Sequence, residues 1–217
     1  QQPSTPNAGN PATLEDFRAG DAAREAWDRR ASDILKALEV AAGDWVADVG
    51  AGAGYYVMRL SGLVGTGGKV FAEDISDTAL VWLERRVKLF QLPNAEVVKG
   101  SPDDPKLPAA SLGAVLVVNS YHHFTEHQAM AAQILRALKP GGRLVILDYS
   151  LPAHRTESRA AQLKRHEIDP ALVRAELAQA GFQVLKTEDP FLKRMPDVKD
   201  GGGIANADMW LMTAVRP

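Results

Sequence analysis

The chain has 217 residues, of which 46% are hydrophobic and 24% charged, with no cysteine and a formal net charge of −2. This length suits one α/β domain with a substantial core, and the lack of cysteine excludes disulfides, thiolate metal ligands and cysteine nucleophiles. The balanced charge argues against a broad nucleic-acid-binding surface, and no apolar run reaches the roughly 18 to 20 residues that span a bilayer.

The first 20 residues are predicted to form a disordered tail, and residues 21–217 a single domain. The tail begins at Gln1 and is rich in Pro, Asn and Gly, a composition that disfavours ordered structure. A start other than methionine suits an exported mature form and equally a chain trimmed for expression, so the terminus does not fix the compartment.

Strands and helices are predicted to alternate through the domain. Apolar runs bounded by turn residues predict strands at 45–49, 69–76, 95–100, 112–120, 143–150, 182–188 and 208–215. Helical periodicity and capping residues predict helices at 21–39, at 56–63, from Ser76 or Asp77 to Phe90, at 126–138, and from Asp169–Pro170 to Gly181. Segment 201–206 is predicted to be a flexible connection between the last two strands.

This order of elements predicts a parallel sheet with helices on both faces. The last two strands follow one another without a helix, which indicates an antiparallel pair. Ligands of such sheets bind outside the carboxyl ends of the strands, near the point where strand order reverses. The residues that end each strand are therefore the candidate site residues.

The stretch "VADVGAGAGYY" ends a buried strand in three alternating glycines, Gly50, Gly52 and Gly54. A dinucleotide site favours G-x-G-x-x-G, but bulky Tyr55 stands where that pattern needs its third glycine. Asp48, two residues before the first glycine, would repel a pyrophosphate and attract an ammonium group. The pattern therefore favours a ligand with an ammonium group lying against bare backbone.

The same stretch resembles the first motif of class I S-adenosylmethionine (SAM) dependent methyltransferases, D/E-x-G-x-G-x-G. Four later segments resemble the family's following motifs in the same order: "VFAEDIS", "GSPDDPKLP", "LGAVLVVNSYHHF" and "LRALKPGGRLVILDYS". More narrowly, the run from Gly100 to Phe124 resembles a group of small bacterial methyltransferase-domain proteins whose substrates are generally unassigned. The family resemblance implies a Rossmann-like, seven-stranded, mostly parallel sheet with a C-terminal antiparallel hairpin. It also implies SAM as cofactor and S-adenosylhomocysteine (SAH) as product.

Carried over residue by residue, the resemblance implies cofactor contacts from Asp48, Gly50, Gly52, Gly54, Asp74, Ile75, Asp103 or Asp104, and Asn119. Asp48 would reach the ammonium, Asp74 the ribose hydroxyls, and Asp103 or Asp104 the adenine. Helix capping by Asp74 and turn formation by Asp103 and Asp104 are the competing interpretations. Related proteins often carry an acid at position 119, so Asn119 can accept a hydrogen bond there but cannot act as an anionic base.

Three histidines are the candidate catalytic residues, because the acceptor should lie at the ends of the fourth and fifth strands. His122 and His123 follow the fourth strand, and His166 lies between the fifth strand and the next helix, a segment that often covers the substrate pocket in this fold. Asp148 and Tyr149 end the fifth strand at the same rim. Bracing of the turn by His122 and His123, and a solvated helix end for His166, are the alternatives. These three candidate histidines share no tight ligand spacing among themselves, so no metal is expected.

These residues predict methyl transfer from SAM to a small molecule, with oxygen favoured as the acceptor atom because a hydroxyl needs a base. A protein side chain is the alternative acceptor, and a SAM-binding sensor or partner subunit without turnover is the alternative function. A nicotinamide-dependent oxidoreductase is disfavoured by Tyr55. Neither a nucleic acid nor a membrane is an expected partner, the oligomeric state is not indicated, and the cytoplasm is favoured because SAM is made there.

Overall fold

The structure is a computed structural model that describes residues 13–25, 28–193 and 208–217. Its α-helices are α1 (Leu14–Glu25), α2 (Ala31–Ala37), α3 (Tyr55–Val64), α4 (Asp77–Leu89), α5 (His127–Ala137), α6 (Arg159–Lys164) and α7 (Pro170–Ala180). Its strands are β1 (Trp45–Val49), β2 (Lys69–Asp74), β3 (Ala95–Lys99), β4 (Leu112–Val118), β5 (Leu138–Tyr149), β6 (Gln183–Leu192) and β7 (Met209–Val215). Within these described residues, every helix is too short or too polar to cross a membrane.

The strands form one seven-stranded sheet in the order β3-β2-β1-β4-β5-β7-β6. Strands β1 to β5 pair in parallel, and β7 runs antiparallel to both β5 and β6. The predicted mostly parallel sheet with a C-terminal antiparallel hairpin is confirmed. Strand order reverses between β1 and β4, which opens a crevice at their carboxyl ends.

Each face of the sheet is covered by its own hydrophobic core, because side chains alternate between the two faces along every strand. On one face α5 and α7 pack through residues such as Ile134 and Leu177, around the fully buried Trp210. On the other face α2, α3 and α4 pack through residues such as Leu60 and Leu83. These two cores hold the strand ends rigidly.

The N-terminal region differs from its prediction. Helix α1 already begins at Leu14, so the predicted tail of 20 residues is too long; residues 1–12 lie outside the described part of the chain. The single predicted helix over 21–39 is two helices, α1 and α2. Between them the buried carboxylate of Asp28 accepts a hydrogen bond from the Tyr56 hydroxyl on α3. This long-range contact anchors the chain where periodicity alone predicts a continuous helix.

The local capping predictions are confirmed. Ser76 caps α4 by accepting a bond from the Ala79 amide, and Asp169 caps α7, which ends at Gly181 in the left-handed conformation. Strand β5 begins earlier than predicted, at Leu138, with an irregular register over its first residues. The predicted connection at 201–206 lies outside the described residues.

Candidate active site

A cleft of about 700 Å³ lies at the carboxyl ends of β1 and β4. Its floor is the turn from β1 into α3, and its wall is completed by residues of α1 and the first turns of α4. The cleft therefore occupies the switch point of the sheet, where α/β folds of this kind bind ligands.

The three glycines of the turn serve two purposes. All three have positive φ angles, of 72°, 56° and 77° for Gly50, Gly52 and Gly54. A Cβ atom at Gly50 would lie 2.7 Å from the Cβ of Ser120, and one at Gly54 2.9 Å from the side chain of Leu83, so these two glycines permit close packing. A Cβ at Gly52 would meet nothing within 4 Å. Gly52 lines the cleft, so bare backbone is exposed to a ligand there.

Asp48 lies in the cleft wall, almost fully buried at 3% exposure. Burial raises its pKa to about 7; the charge of Arg24 acts in the opposite direction, and Asp74 adds to the rise. A carboxyl group that loses solvation without a matching partner gains free energy when a cation arrives beside it. The site is thus suited to an ammonium group.

Asp74 ends β2 on the same face of the sheet as Asp48. Its two oxygens accept hydrogen bonds of 2.9 Å from the amides of Gly52 and Ser76, so it holds the glycine turn against the start of α4. Ile75, which follows it, is 51% exposed. Glu73 points to the opposite face, because side chains alternate along a strand, and is buried against Gly100.

Burial raises the pKa of Glu73 to about 8, although the Gly50 amide donates to its carboxylate at 3.3 Å. Its Oε1 atom has no hydrogen-bond partner among the described residues. Burial thus favours the protonated form of this side chain, which supports the turn.

Asp103 and Asp104 lie in a turn and do not line the cleft. Asp103 accepts a bond of 2.7 Å from the Ser101 hydroxyl, and Asp104 uses both oxygens on the amide and ammonium of Lys106. These are the bonds of turn-forming aspartates. Adenine binding by Asp103 or Asp104 stays a prediction.

Asn119 lies directly after β4 in the left-handed conformation, with φ of 52°, and lines the cleft. Its buried Oδ1 atom has no hydrogen-bond partner among the described residues. A buried acceptor without a donor costs free energy that a ligand's N–H group would recover. Asn119 and Asp48 together therefore offer two acceptors to one cationic group.

Helix α1 supplies residues that sequence reasoning missed. Arg24 lines the cleft with its guanidinium 4.7 Å from the ring centre of Tyr55, and Asp21 forms two bonds of 2.9 Å with Arg86 of α4. Sequence motifs gave no signal for them, because α1 precedes the glycine turn and its docking depends on side chains of α4.

On the other side of β4, His122 is 2% exposed and paired with the fully buried Asp148 of β5. Its Nδ1 lies 2.9 Å from one carboxylate oxygen, and its backbone amide donates to the other at 3.1 Å. A carboxylate at Nδ1 assigns the proton to that nitrogen and leaves Nε2 free to accept. This pairing was not predicted, although both residues were placed at this rim.

His123 and His166 are exposed and lie against His122. The ring centres are 4.0 Å apart for His122–His123, 5.8 Å for His122–His166 and 5.2 Å for His123–His166. Partial burial, followed by the charges of the two neighbouring imidazoles, lowers the pKa of His123. The three predicted catalytic histidines thus form one cluster, and His166 is both a helix end and part of it.

The sheet order and the bare glycine turn are those of class I SAM-dependent methyltransferase domains. The sequence profile of the methyltransferase-domain family matches residues 46–142, somewhat less than half of the chain. SAM is the cofactor of that class, and the cleft fits it, with open backbone at Gly52 and the acceptor oxygens of Asp48 and Asn119 in its lining.

Several known proteins are similar to the chain. Over 122 residues it is 33% identical to the ubiquinone/menaquinone biosynthesis C-methyltransferase UbiE of Pseudomonas putida, which covers 56% of this chain and 48% of that protein. The chain thus aligns with about half the length of the curated relatives it matches. A SAM-dependent methyltransferase from Aquifex aeolicus shares the fold with a TM-score of 0.71 at 22% identity, over 95% of this chain and all of that one. Phosphoethanolamine N-methyltransferase 2 of Haemonchus contortus, with SAM bound, shares the fold with a TM-score of 0.70 at 18% identity, over 94% of this chain and 58% of that one.

Proposed function

We propose that this chain transfers the methyl group of SAM to a hydroxyl group, or to a carbon activated by one, on a small molecule bound beside the histidine cluster. One observation carries the proposal. Asn119, which lines the cofactor cleft, is followed three residues later by His122, whose ring contacts His123 and His166. The cofactor cleft and a cluster of proton-accepting groups therefore meet at the end of β4.

Different parts of the cofactor are assigned to residues in the cleft lining and to acids beside it, since Asp74 and Asp103 lie outside the lining. Asp48 and the Oδ1 atom of Asn119 hold the ammonium, and Arg24 is placed to hold the carboxylate of the same amino-acid tail. Asp74 takes the ribose hydroxyls by exchanging its bond to the Gly52 amide for bonds to the sugar. Of the two adenine candidates, Asp103 is preferred because Asp104 already uses both oxygens on Lys106.

The cofactor supplies an electrophilic methyl group on a sulfonium, so the protein's main task is to place the acceptor on axis about 3–3.5 Å away. A hydroxyl acceptor must also lose its proton. His123 is exposed and its lowered pKa keeps it neutral near pH 7, so it can accept that proton. Asp148 fixes the ring of His122 beside it and thereby sets the shape of the acceptor rim.

The relative UbiE, named as a C-methyltransferase of quinone biosynthesis, favours a hydroxylated ring as acceptor. Loss of the proton from a ring hydroxyl makes both the oxygen and the adjacent ring carbons nucleophilic. One base therefore serves O-methylation and C-methylation alike, and the position of the ring relative to the methyl group decides the product. A phenolic small molecule is the acceptor class that both observations support.

Calorimetric titration with SAM, SAH and NADH tests the cofactor first. We expect SAM and SAH to bind and NADH not to bind; binding of NADH alone would overturn the proposal. Transfer of a tritiated methyl group to a panel of phenols then tests the acceptor, with NMR to separate O-methyl from C-methyl products. Labelled protein in place of labelled phenols would favour a protein acceptor, and no labelled product at all would favour a SAM-binding sensor.

Asp74→Ala is the sharpest test of the cofactor residues. Loss of charge-assisted bonds to the ribose should weaken SAH binding by roughly 1–3 kcal/mol, about 5- to 150-fold. Asp77→Ala is the matched control, because Asp77 is an acid three residues away whose side chain is 84% exposed and pairs with Lys99. Equal affinities for the two variants would show that Asp74 only shapes the turn.

A further inference from the structure

We propose that His122, His123 and His166 form a binding site for one divalent transition-metal ion, with zinc as the preferred class. Each residue offers one ring nitrogen, and these three nitrogens lie within 4.8 Å of one another. Three imidazoles that leave a further position open are the ligand set of catalytic zinc sites. Neutral nitrogen ligands select zinc, copper, iron or nickel over magnesium and calcium, which prefer oxygen.

The partner of His122 supports this inference. Asp148 accepts the Nδ1–H of His122 at 2.9 Å and is itself fully buried. Histidines that bind metal ions usually donate their other ring N–H to a carboxylate or carbonyl, which fixes the tautomer and makes the ligating nitrogen a stronger ligand. The Nε2 atom of His122 is thus oriented as a ligand before any ion arrives.

The segment that carries His166 is also fixed. The side chain of Gln162 is fully buried, donates to the carbonyls of Arg155 and Glu157, and accepts from the Asp169 amide at 2.7 Å. Glu167 is buried and accepts a bond of 3.0 Å from the Leu151 amide. These bonds hold His166 in the left-handed conformation, with φ of 59°, and direct its ring toward the other two.

The sequence expectation of no metal rested on linear spacing alone. His122 and His123 are neighbours, whereas His166 comes after β5 and α6, so no short motif joins them. The fold brings them together because β4 and β5 are adjacent strands and the segment after β5 returns over their ends.

The ion would act on the acceptor, and this part of the inference rests on the proposed function. With the ion bound, His123 is a ligand and the ion takes over its role as the group that removes the proton. A hydroxyl oxygen that binds in the open position loses its proton to solvent water, because the ion stabilises the resulting anion. The oxygen or an adjacent ring carbon then forms a bond to the methyl carbon as the carbon–sulfur bond breaks, and the electron pair of that bond stays on sulfur as SAH. The acceptor class is accordingly a small phenol or enol able to bind a metal.

The test uses the whole chain without a histidine tag, titrated with Zn²⁺ by calorimetry and with Co²⁺ by visible absorption. We expect one ion per chain and Co²⁺ bands typical of nitrogen ligands in a tetrahedral site. His123→Gln and His166→Asn should each weaken Zn²⁺ binding by about 100-fold or more, since loss of only the hydrogen-bond partner of a ligand already costs about 10- to 100-fold. Both positions are exposed, and asparagine tolerates the left-handed conformation of residue 166.

His127→Gln is the matched control, because His127 lies on α5 beside Glu176 and outside the cluster. Failure of the wild-type chain to bind one ion, or equal affinities in all three variants, would overturn the metal site. Calorimetry with SAH on the same variants keeps the two proposals apart. Ion binding without methyl transfer to any acceptor would support the site and oppose the function. Full transfer in chelator-treated protein would support the function and oppose a role of the ion in it.

Discussion

The cofactor side and the acceptor side of the site are built in opposite ways. The cofactor side consists of Asp48, the glycine turn and Asp74, and its key residues come from one β1–α3–β2 stretch. The acceptor side consists of His122, His123, Asp148 and His166, which come from three separate parts of the chain. The first is a local structure that recurs wherever the motif occurs, whereas the second exists only in the folded chain.

The two sides also differ in how their buried acids are compensated. On the cofactor side the buried acid Asp48 lacks a full counterion, and burial raises its pKa to about 7. On the acceptor side the buried acid Asp148 accepts three bonds, two from His122 and one from the Tyr149 amide. The cofactor side therefore gains free energy only when its ligand binds, and the acceptor side is already satisfied and serves to orient its histidines.

Gly50→Ala should produce the largest effect, because Gly50 is where the two sides touch. A methyl group there would lie 2.7 Å from the Cβ of Ser120 and closer still to its hydroxyl, at a φ of 72°. Overpacking and left-handed strain together should reduce the free energy of unfolding by about 2–4 kcal/mol, measured by urea denaturation.

Gly52→Ala is the control for that variant. The φ angle of Gly52 is 56°, but a Cβ there would meet nothing within 4 Å. The alanine should therefore cost only the left-handed backbone strain of about 1–2 kcal/mol. Adding Ser120→Gly to Gly50→Ala should remove the clash and recover the part of the free energy of unfolding that overpacking cost. Equal losses for the two alanine variants, or no rescue, would show that the two sides do not pack through this contact.

Asp148→Asn should have the next largest effect, and on the acceptor side alone. The amide cannot accept both bonds from His122, so the ring must change tautomer or orientation, and its Nε2 then no longer accepts a proton or binds an ion. We expect methyl transfer to fall by about 10- to 100-fold while SAH affinity stays within about twofold. A parallel loss of SAH affinity would mean that the two sides are coupled.

The geometry of the glycine turn and of its flanking acids could be predicted from the sequence, whereas cofactor binding by these residues stays a prediction. Positive φ angles require glycine at Gly50, Gly52 and Gly54, and strand alternation places Asp48 and Asp74 on one face and Glu73 on the other. The mostly parallel sheet with its antiparallel last pair likewise followed from the alternation of strands and helices. These features depend on residues close together in the chain.

The rest depended on contacts that no local pattern encodes. The break between α1 and α2 follows from the bond between Asp28 and Tyr56, and the place of Arg24 in the cleft follows from the docking of α1. Strand ends identified the histidines as candidates, but their convergence follows from the buried bonds of Gln162 that hold His166 in place.

The smallest effect we predict is the pH dependence of cofactor binding, which tests the unpaired acid of the cofactor side. The cofactor's ammonium requires ionised Asp48, and the groups that face it are Arg24 on α1 and Asp74 on β2. SAH affinity should therefore rise by up to about tenfold per pH unit between pH 5.5 and 7 and then level off. The ligand's own ammonium, with a usual pKa of about 7.7–8.0, stays charged in this range.

The same group should affect the unliganded protein with the opposite sign. Because the folded-state pKa of Asp48 lies above the 3.8 usual for an exposed aspartate, the folded chain holds the extra proton between these two values, and the free energy of unfolding falls as pH rises toward 7. Calorimetry in buffers of different ionisation enthalpy would detect proton release on SAH binding below pH 7. Asp48→Asn should bind SAH more weakly and without this pH dependence. A variant that kept the wild-type pH profile would assign the proton to another group, with Glu73 the first alternative because its pKa is raised to about 8.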